Sequence, residues 1–178
     1  GLTSARPKLL IAEEDESTRR FLSTGLDERG YDTTCVEDGV AAMKAIEAAD
    51  FDLLVTDLRL PRMDGIELTA KAKELRPRLP IITLGAAGDM EASLKALLAG
   101  AYCSVSKPPG MEELSLLVGR AMLVDRLERD LHSQGEVLDE RTTELEKALN
   151  ELRELQENVK RIASRRLSHD QRAGAPAG

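Results

Sequence analysis

Short apolar runs alternate with amphipathic segments along the chain up to about residue 122. The apolar runs have the length and composition of buried strands, whereas the segments between them repeat apolar residues every three or four positions, as helices do. We therefore predict five strands, at 8–12, 31–36, 53–56, 80–84 and 102–105. Predicted helices cover 17–29, 39–49, 65–76 and 90–98, and a much longer helix begins at Met111.

Strands and helices that alternate in this way build one sheet of parallel strands with helices on both faces. With five strands, the flavodoxin-like order 2-1-3-4-5 is the expected arrangement of this α/β fold. In that order the first and third strands are neighbours, so the residues that follow them meet at the carboxyl edge of the sheet. Ligands of open α/β sheets bind at that edge.

Acidic side chains and a lysine fall at this predicted edge. The third strand leads into Asp57, the first strand is followed by Glu13 and Glu14, and Lys107 follows the fifth strand. Three carboxylates and a lysine around one point suit a hard divalent cation and a phosphoryl group. The structural alternatives are that Asp57 is a turn or helix-capping residue and that the acids at 13–16 form the solvated first turn of a helix.

Several short motifs occur in a characteristic order and spacing between residue 8 and about residue 122. They are Glu13-Glu14, Asp57, the PRMDGIEL turn at 61–68, the LPII strand at 79–82, Gly88-Asp89, the AGAY segment at 99–102 and Lys107-Pro108. Each motif is weak on its own. Together they resemble the receiver domain of two-component response regulators, a family of bacterial-type signalling phosphoproteins.

The resemblance implies a role for each residue of the predicted site. Asp57 corresponds to the phosphoacceptor, which takes a phosphoryl group from a phosphohistidine on a sensor histidine kinase in a phosphorelay. Glu14, Asp57 and the backbone carbonyl of Arg59 would bind Mg²⁺, with Glu13 as the other acid of the metal site. Lys107 would pair with a phosphoryl oxygen. Such a receiver is not an enzyme beyond catalysing its own phosphorylation and dephosphorylation.

Three features depart from the family pattern. The acidic pair usually contains at least one aspartate, whereas both residues are glutamates in this chain, and each added methylene moves a carboxylate about 1.5 Å further out. Gly85 stands where the family has Thr or Ser, and Ser104 stands where it has Tyr or Phe. The hydroxyl that bonds the phosphoryl group in the family is therefore absent, and so is the ring that moves inward on phosphorylation. Residues 85 and 104 are called the switch positions below. Two interpretations stay open: ordinary drift in a working receiver, or a switch that is altered or lost.

A seven-residue apolar repeat runs along the last predicted helix, from Met111 to about Leu167. The first series is Leu117, Val124, Leu131, Leu138, Leu145, Leu152 and Val159, and the series three residues on is Leu127, Gln134, Arg141, Ala148, Leu155 and Ile162. About 55 helical residues would extend roughly 80 Å, too far for a helix that lies on one small domain. The repeat predicts a coiled coil, and we expect a parallel homodimer. Gln134, Gly135 and Arg141 interrupt the repeat and mark a predicted hinge.

The end of the chain is basic and then loses its pattern. Arg161, Arg165 and Arg166 fall near a predicted helix C-terminus, where the helix dipole favours positive charge. This interpretation is preferred to a nucleic-acid patch, because no DNA-reading motif follows. His169 lies in the string RRLSHD, which resembles the phosphoacceptor box of dimeric sensor kinases, and the alternative is an ordinary surface histidine.

Composition and charge narrow the function classes further. The net charge of −7, from 25 basic and 32 acidic residues, disfavours general binding to nucleic-acid backbones. The sequence has neither an apolar run long enough to cross a membrane nor a secretory signal pattern. Cys35 and Cys103 fall on strands predicted near opposite edges of the sheet, too far apart for a disulfide, and free cysteines fit a reducing compartment. We therefore expect a cytoplasmic protein.

These patterns predict four regions and one leading function. The regions are a disordered lead-in at 1–7, a receiver domain at 8–122, a dimerising coiled-coil helix at 123–167 and a disordered tail at 168–178. The leading hypothesis is a receiver that is phosphorylated on Asp57 and signals to a downstream protein through the coiled coil. The alternatives are a dimeric scaffold with a degenerate receiver, and the N-terminal part of a longer hybrid kinase or cyclic-dinucleotide phosphodiesterase.

Overall fold

The computed structural model describes residues 5–173, without the side chains of Ala163 and of residues 166–173. Five strands alternate with five helices in this part of the chain. The strands are β1 (Lys8–Ala12), β2 (Asp32–Val36), β3 (Leu53–Asp57), β4 (Ile81–Gly85) and β5 (Cys103–Ser106). The helices are α1 (Glu16–Asp27), α2 (Gly39–Ala48), α3 (Gly65–Leu75), α4 (Met90–Leu98) and α5 (Met111–Ala173). The predicted elements are all present and differ from the observed ones only at their ends.

The five strands form one parallel sheet in the order β2-β1-β3-β4-β5, which confirms the predicted flavodoxin-like α/β fold. β1 and β3 are neighbours, with Ala12 opposite Thr56. The next residues along the two strands, Glu13 and Asp57, therefore emerge side by side at the carboxyl edge. β2 and β5 are the outer strands, and the cysteine on each of them is free, as predicted.

The core lies on both faces of the sheet and is almost entirely aliphatic. Successive residues of a strand point to opposite faces, so Leu9 and Ile11 pack in one cluster and Leu10 packs in the other. The first cluster is closed by α1 and the beginning of α5, through Leu22, Leu26, Leu114, Val118 and Ala121. The second cluster is closed by α2 and α3, through Ala42, Ile46, Leu68 and Ala72. The first turns of α5 are therefore part of the sheet domain.

Aspartate side chains fix where four of the helices begin. Each aspartate is an N-cap residue that accepts a hydrogen bond from a backbone N–H three residues on, a donor without a partner inside the helix. The bonds run to Asp15 from Thr18 (2.7 Å), to Asp38 from Ala41 (2.7 Å), to Asp64 from Glu67 (2.8 Å) and to Asp89 from Ala92 (3.1 Å). All four helices follow the carboxyl end of a strand, so the caps also fix the loops around this edge.

The chain divides into two units, one that ends at Glu128 and one that begins at Arg129. The described part of the second unit is helical. Its predicted seam residues are between 57% and 69% exposed, namely Leu131, Leu138, Leu145, Leu152 and Val159. The boundary predicted between residues 122 and 123 stays a prediction.

The far end of α5 differs from the prediction. The helix continues to Ala173, past the end predicted near Leu167 and into the region predicted as a disordered tail. The apolar repeat stops earlier, but Arg, Leu, Gln and Ala in this segment favour helix without it. Residues 174–178 and the side chain of His169 lie outside the described residues. None of the helices described within residues 5–173 combines the length and apolar character needed to span a membrane.

Candidate functional site

Asp57 ends β3 at the carboxyl edge of the sheet and lies at the centre of the site. All of β3 is buried, and Asp57 itself is 8% exposed. Its Oδ1 accepts a hydrogen bond from the backbone N–H of Arg59 (3.1 Å), and its Oδ2 accepts one from Nζ of Lys107 (2.7 Å). The loop after Asp57 folds back so closely that a Cβ atom at Gly65 would collide with the Asp57 carbonyl oxygen. Glycine at position 65 therefore keeps this loop against the site.

Lys107 brings the end of β5 into the same site. Its backbone N–H donates to the carbonyl of Gly85 (2.8 Å), and the Lys107–Pro108 peptide bond is cis. Its Nζ contacts two carboxylates, at 2.7 Å from Asp57 Oδ2 and 2.8 Å from Glu13 Oε2. Burial lowers the pKa of Lys107, but the hydrogen bonds to Asp57 and Glu13 outweigh it, and the pKa is raised above its ordinary value. Lys107 is therefore a cation at neutral pH.

Glu13 is hydrogen-bonded to Lys107 and to the local backbone. It is 1% exposed. Its Oε1 accepts a hydrogen bond from the backbone N–H of Asp15 (3.0 Å), and its Oε2 accepts one from Lys107 (2.8 Å). Both carboxylate oxygens already have protein partners. The structure thus gives Glu13 a lysine partner, and its role as an acid of the metal site stays a prediction.

Glu14 is exposed and faces a cavity. It lines a space of about 470 Å³ together with Arg59 and Asp89. With Asp57 nearby, two carboxylates and the Arg59 carbonyl provide oxygen donors of the kind that Mg²⁺ prefers. Among the side chains that the structure describes, no three acidic, histidine or cysteine side chains are already gathered as a metal site. The donor chemistry fits Mg²⁺, and the assignment of the individual ligands stays a prediction.

A second cavity, of about 630 Å³, also reaches Lys107. Its walls come from α1, from the loop after β4 and from the loop after β5. They are formed by Ser17, Thr18, Phe21, Ala86, Ala87, Pro108 and Pro109. Phe21 is 49% exposed there. A small molecule could therefore reach Lys107 through this cavity without displacing core residues.

The two switch positions lie under α4. Gly85 ends β4, and a Cβ atom placed on it would lie 3.1 Å from Leu58 Cδ1 and 3.3 Å from Ser93 Oγ. Ser104 on β5 donates a hydrogen bond to the Ser93 hydroxyl (3.2 Å). Sequence reasoning missed Ser93. The available signal was its position on α4 three residues before Ala96, which is the spacing of one helix face.

Thr83 does not supply the hydroxyl that Gly85 lacks. It lies two residues earlier on β4, is fully buried, and pairs across the sheet with Thr56 and Ser104. Its Oγ1 has no hydrogen-bond partner within the described part of the chain. Thr83 therefore lies too deep in the sheet to replace a hydroxyl at residue 85.

Comparison with known proteins decides the family. A sequence model of the response regulator receiver domain matches residues 9–118. The chain belongs to this receiver family. The chain is 30% identical over 131 residues to the regulatory protein AtoC of Escherichia coli K12, an alignment that covers 74% of this chain and 28% of AtoC.

Two further relatives support the same assignment. The receiver is 32% identical over 114 residues to the transcriptional regulator NtrC of Rhizobium meliloti, covering 64% of this chain and 24% of NtrC. The solved receiver domain of the Francisella response regulator 1452 is 31% identical, with a TM-score of 0.62, and the match covers 66% of this chain and 97% of that one. The chain therefore spans about a quarter of the length of AtoC and NtrC.

The predicted two-component receiver is thus confirmed. Receivers act as phosphoacceptors rather than as enzymes, interact with sensor histidine kinases and typically bind Mg²⁺ at the phosphorylation site. Of the residues predicted for this site, the structure brings Lys107 into direct contact with both Glu13 and Asp57. Glu14 lines the neighbouring cavity, and Gly85 lies beside the serine pair formed by Ser104 and Ser93.

Proposed function

We propose that this receiver accepts a phosphoryl group on Asp57 from a sensor histidine kinase. The contact of 2.7 Å between Lys107 Nζ and Asp57 Oδ2, at the carboxyl edge of the sheet, is the observation that supports the proposal most directly. In the reaction, an Asp57 oxygen forms a bond to phosphorus while the bond from phosphorus to the donor imidazole nitrogen breaks. The imidazole leaves with the electron pair.

Lys107 makes this transfer easier through its charge. A carboxylate repels an incoming phosphoryl group, and a cation placed beside the acceptor reduces that repulsion without having to reorganise. The second contact, to Glu13, holds the ammonium group in place while a phosphoryl oxygen replaces Asp57 as its other partner. Glu13 is therefore a positioning residue for Lys107.

Mg²⁺ would be held by Glu14, Asp57 and the backbone carbonyl of Arg59. When bound, it neutralises charge on the transferring phosphoryl group. We leave Glu13 out of this ligand set, because it is 1% exposed and does not line the cavity that Glu14 and Arg59 line. Glu14 is then the acid on which metal affinity depends most, besides Asp57.

We also propose that the helix beyond Glu128 pairs with a second copy as a parallel coiled coil. Its seam leucines are more than half exposed, and a helix with an apolar stripe along its length gains stability when another helix covers the stripe. The polar seam positions Gln134 and Arg141 weaken the pairing locally. Such a dimer would carry the state of Asp57 to a downstream protein.

Intact-mass measurement tests the phosphoacceptor role. The full chain is incubated with Mg²⁺ and acetyl phosphate, and we expect the mass of one phosphoryl group to be added. Asp57→Asn should abolish the addition, because the amide cannot form the acyl phosphate. Asp50→Asn is the matched control, since that side chain is 96% exposed and forms a surface ion pair with Arg76 (3.6 Å). Unmodified wild-type protein would overturn the proposal.

The second candidate is a dimeric scaffold with a degenerate receiver. It is favoured by Gly85, which offers no hydroxyl to the phosphoryl group, and by the engagement of Glu13 with Lys107. A chain that takes up no phosphoryl group, yet has the mass of a dimer in light scattering, would support the scaffold.

A further inference from the structure

A pair of serine hydroxyls bridges α4 and β5 beside the phosphoacceptor site. Ser104 donates to Ser93 over 3.2 Å, and both side chains are partly buried. Their oxygens lie 3.8 Å and 3.3 Å from the point where a Cβ atom of residue 85 would stand. The serine bridge therefore borders the space in which a side chain at residue 85 would lie.

The serine bridge is connected to both reactive groups of the site through close contacts. Leu58 follows Asp57 directly, and its Cδ1 lies 3.1 Å from the Cβ position of Gly85. The backbone N–H of Leu58 also donates to the carbonyl of Leu84 (2.9 Å), and the carbonyl of Gly85 accepts from Lys107 (2.8 Å). Because packed interiors transmit small displacements, a movement of Asp57 or Lys107 reaches the atoms that touch the serine bridge.

We propose that Ser93 and Ser104 are the positioning residues that couple the state of Asp57 to α4, an inference that rests on the proposed phosphorylation. Gly85 has no side chain that could contact both Asp57 and α4. Ser104 has no aromatic ring that could move inward when Asp57 is phosphorylated. The hydroxyl bond is a polar contact between α4 and this edge of the sheet, together with the exposed ion pair of Arg59 with Asp89 (3.9 Å).

The physical character of the serine bridge suits a two-state contact. A hydroxyl hydrogen bond is directional and is lost when its oxygens separate beyond about 3.5 Å, so a shift of α4 by a fraction of an ångström breaks it. The inner face of α4 carries the small residues Ala92 and Ala96, which pack in a cluster with Leu58. Its outer face exposes Met90 (74%), Leu94 (55%) and Leu98 (89%). The position of α4 therefore sets where these apolar side chains are presented.

Hydrogen exchange of the α4 amides, measured on the full chain before and after phosphorylation with acetyl phosphate and Mg²⁺, tests the coupling. Intact mass is recorded on the same samples. In wild type we expect phosphorylation to change α4 exchange by about threefold or more. In Ser93→Ala and in Ser104→Ala, exchange should be about fivefold faster without phosphorylation, as for the loss of one hydrogen bond. Phosphorylation should then change it no further, although the mass shift is still seen.

Two comparisons make the test specific. The double variant should behave like either single variant, because both substitutions remove the same bond. Ser23→Ala is the matched control, since it removes a hydroxyl pair with Thr33 (2.9 Å) that joins α1 to β2, and it should leave the α4 response intact. An α4 response in Ser93→Ala equal to that of wild type, or a phosphorylated wild type with no α4 response, would overturn the coupling alone. A missing mass shift in wild type would instead overturn the proposed function and the coupling with it.

Discussion

The carboxyl edge of the sheet and the helix beyond Glu128 differ in the exposure of their side chains. At the edge, Lys107 satisfies two carboxylates that are almost inaccessible to water. Beyond Glu128, leucines that repeat every seven residues are more than half exposed. The charged groups of the first unit find partners within one chain, whereas the second unit has an apolar stripe left exposed. This difference supports the proposal that the helix signals by pairing with a second copy.

The largest effect is expected from a charge placed in the exposed stripe. Leu152→Asp would bring two aspartates together in the seam of a parallel dimer, and burying such charges should weaken dimerisation by at least about 1,000-fold. Light scattering over a concentration series measures this change. Asn150→Asp adds the same charge outside both seam series and should leave the dimer intact. A wild-type chain that is monomeric throughout the series would remove the basis of the comparison.

The same substitution should have different costs in the core and on the surface of the first unit. Leu54 is fully buried in β3, and Leu54→Ala should lower the free energy of unfolding by about 2–5 kcal/mol because it leaves a cavity. Leu116 is 56% exposed, so Leu116→Ala should change it by less than about 0.5 kcal/mol. Urea unfolding followed by circular dichroism gives both values. Equal losses would contradict the assignment of the core.

Much of the first unit could be predicted from the sequence, because its signals are local and repeated. Apolar runs located the five strands, and the alternation with helices implied a sheet order that brings Glu13 next to Asp57. Lys107 could be placed at the same edge by the same reasoning. The repeat of leucines likewise located α5, but not its far end, because the last turns are helical through residue propensity and carry no apolar repeat.

Side-chain partners at the site could not be predicted in the same way. The contact between Glu13 and Lys107 depends on the length of the glutamate side chain and on which of its oxygens already accept hydrogen bonds. The periodicity of apolar residues carries no information about either. Ser93 was missed because serine is mostly an exposed residue, so a serine on the inner face of α4 gives a weak signal. The absence of a hydroxyl at Gly85 was visible in the sequence, but the hydroxyls that surround position 85 come from α4 and β5.

Removing the cation from the sheet edge should have an intermediate effect that depends on pH. Lys107→Met leaves the buried carboxylate of Glu13 without its partner and should lower the free energy of unfolding by about 1–3 kcal/mol at neutral pH. The pKa of Lys107 is raised in the folded state, so its contribution is complete below the ordinary value of 10.5 and disappears as the pH rises through the folded-state pKa. The difference from wild type should therefore shrink above pH 10.5.

Glu13→Gln in the Lys107→Met background serves as the control for this effect. The amide removes the unpaired charge, so the double variant should recover part of the lost stability. Urea unfolding at several pH values measures all three proteins. A Lys107→Met protein as stable as wild type at neutral pH would show that water, rather than lysine, satisfies Glu13.

The smallest effect is expected at the boundary of the serine bridge. A Cβ atom at residue 85 would meet the ends of two side chains, Leu58 and Ser93, at 3.1 Å and 3.3 Å. These ends can rotate away, so Gly85→Ser should change the free energy of unfolding by less than about 1 kcal/mol. Gly65→Ala is the contrasting case, because its Cβ would collide with the backbone at Asp57 and should cost clearly more in the same urea experiment. If the two costs are equal, the neighbours of Gly85 cannot yield, and the fold itself excludes a hydroxyl at that switch position.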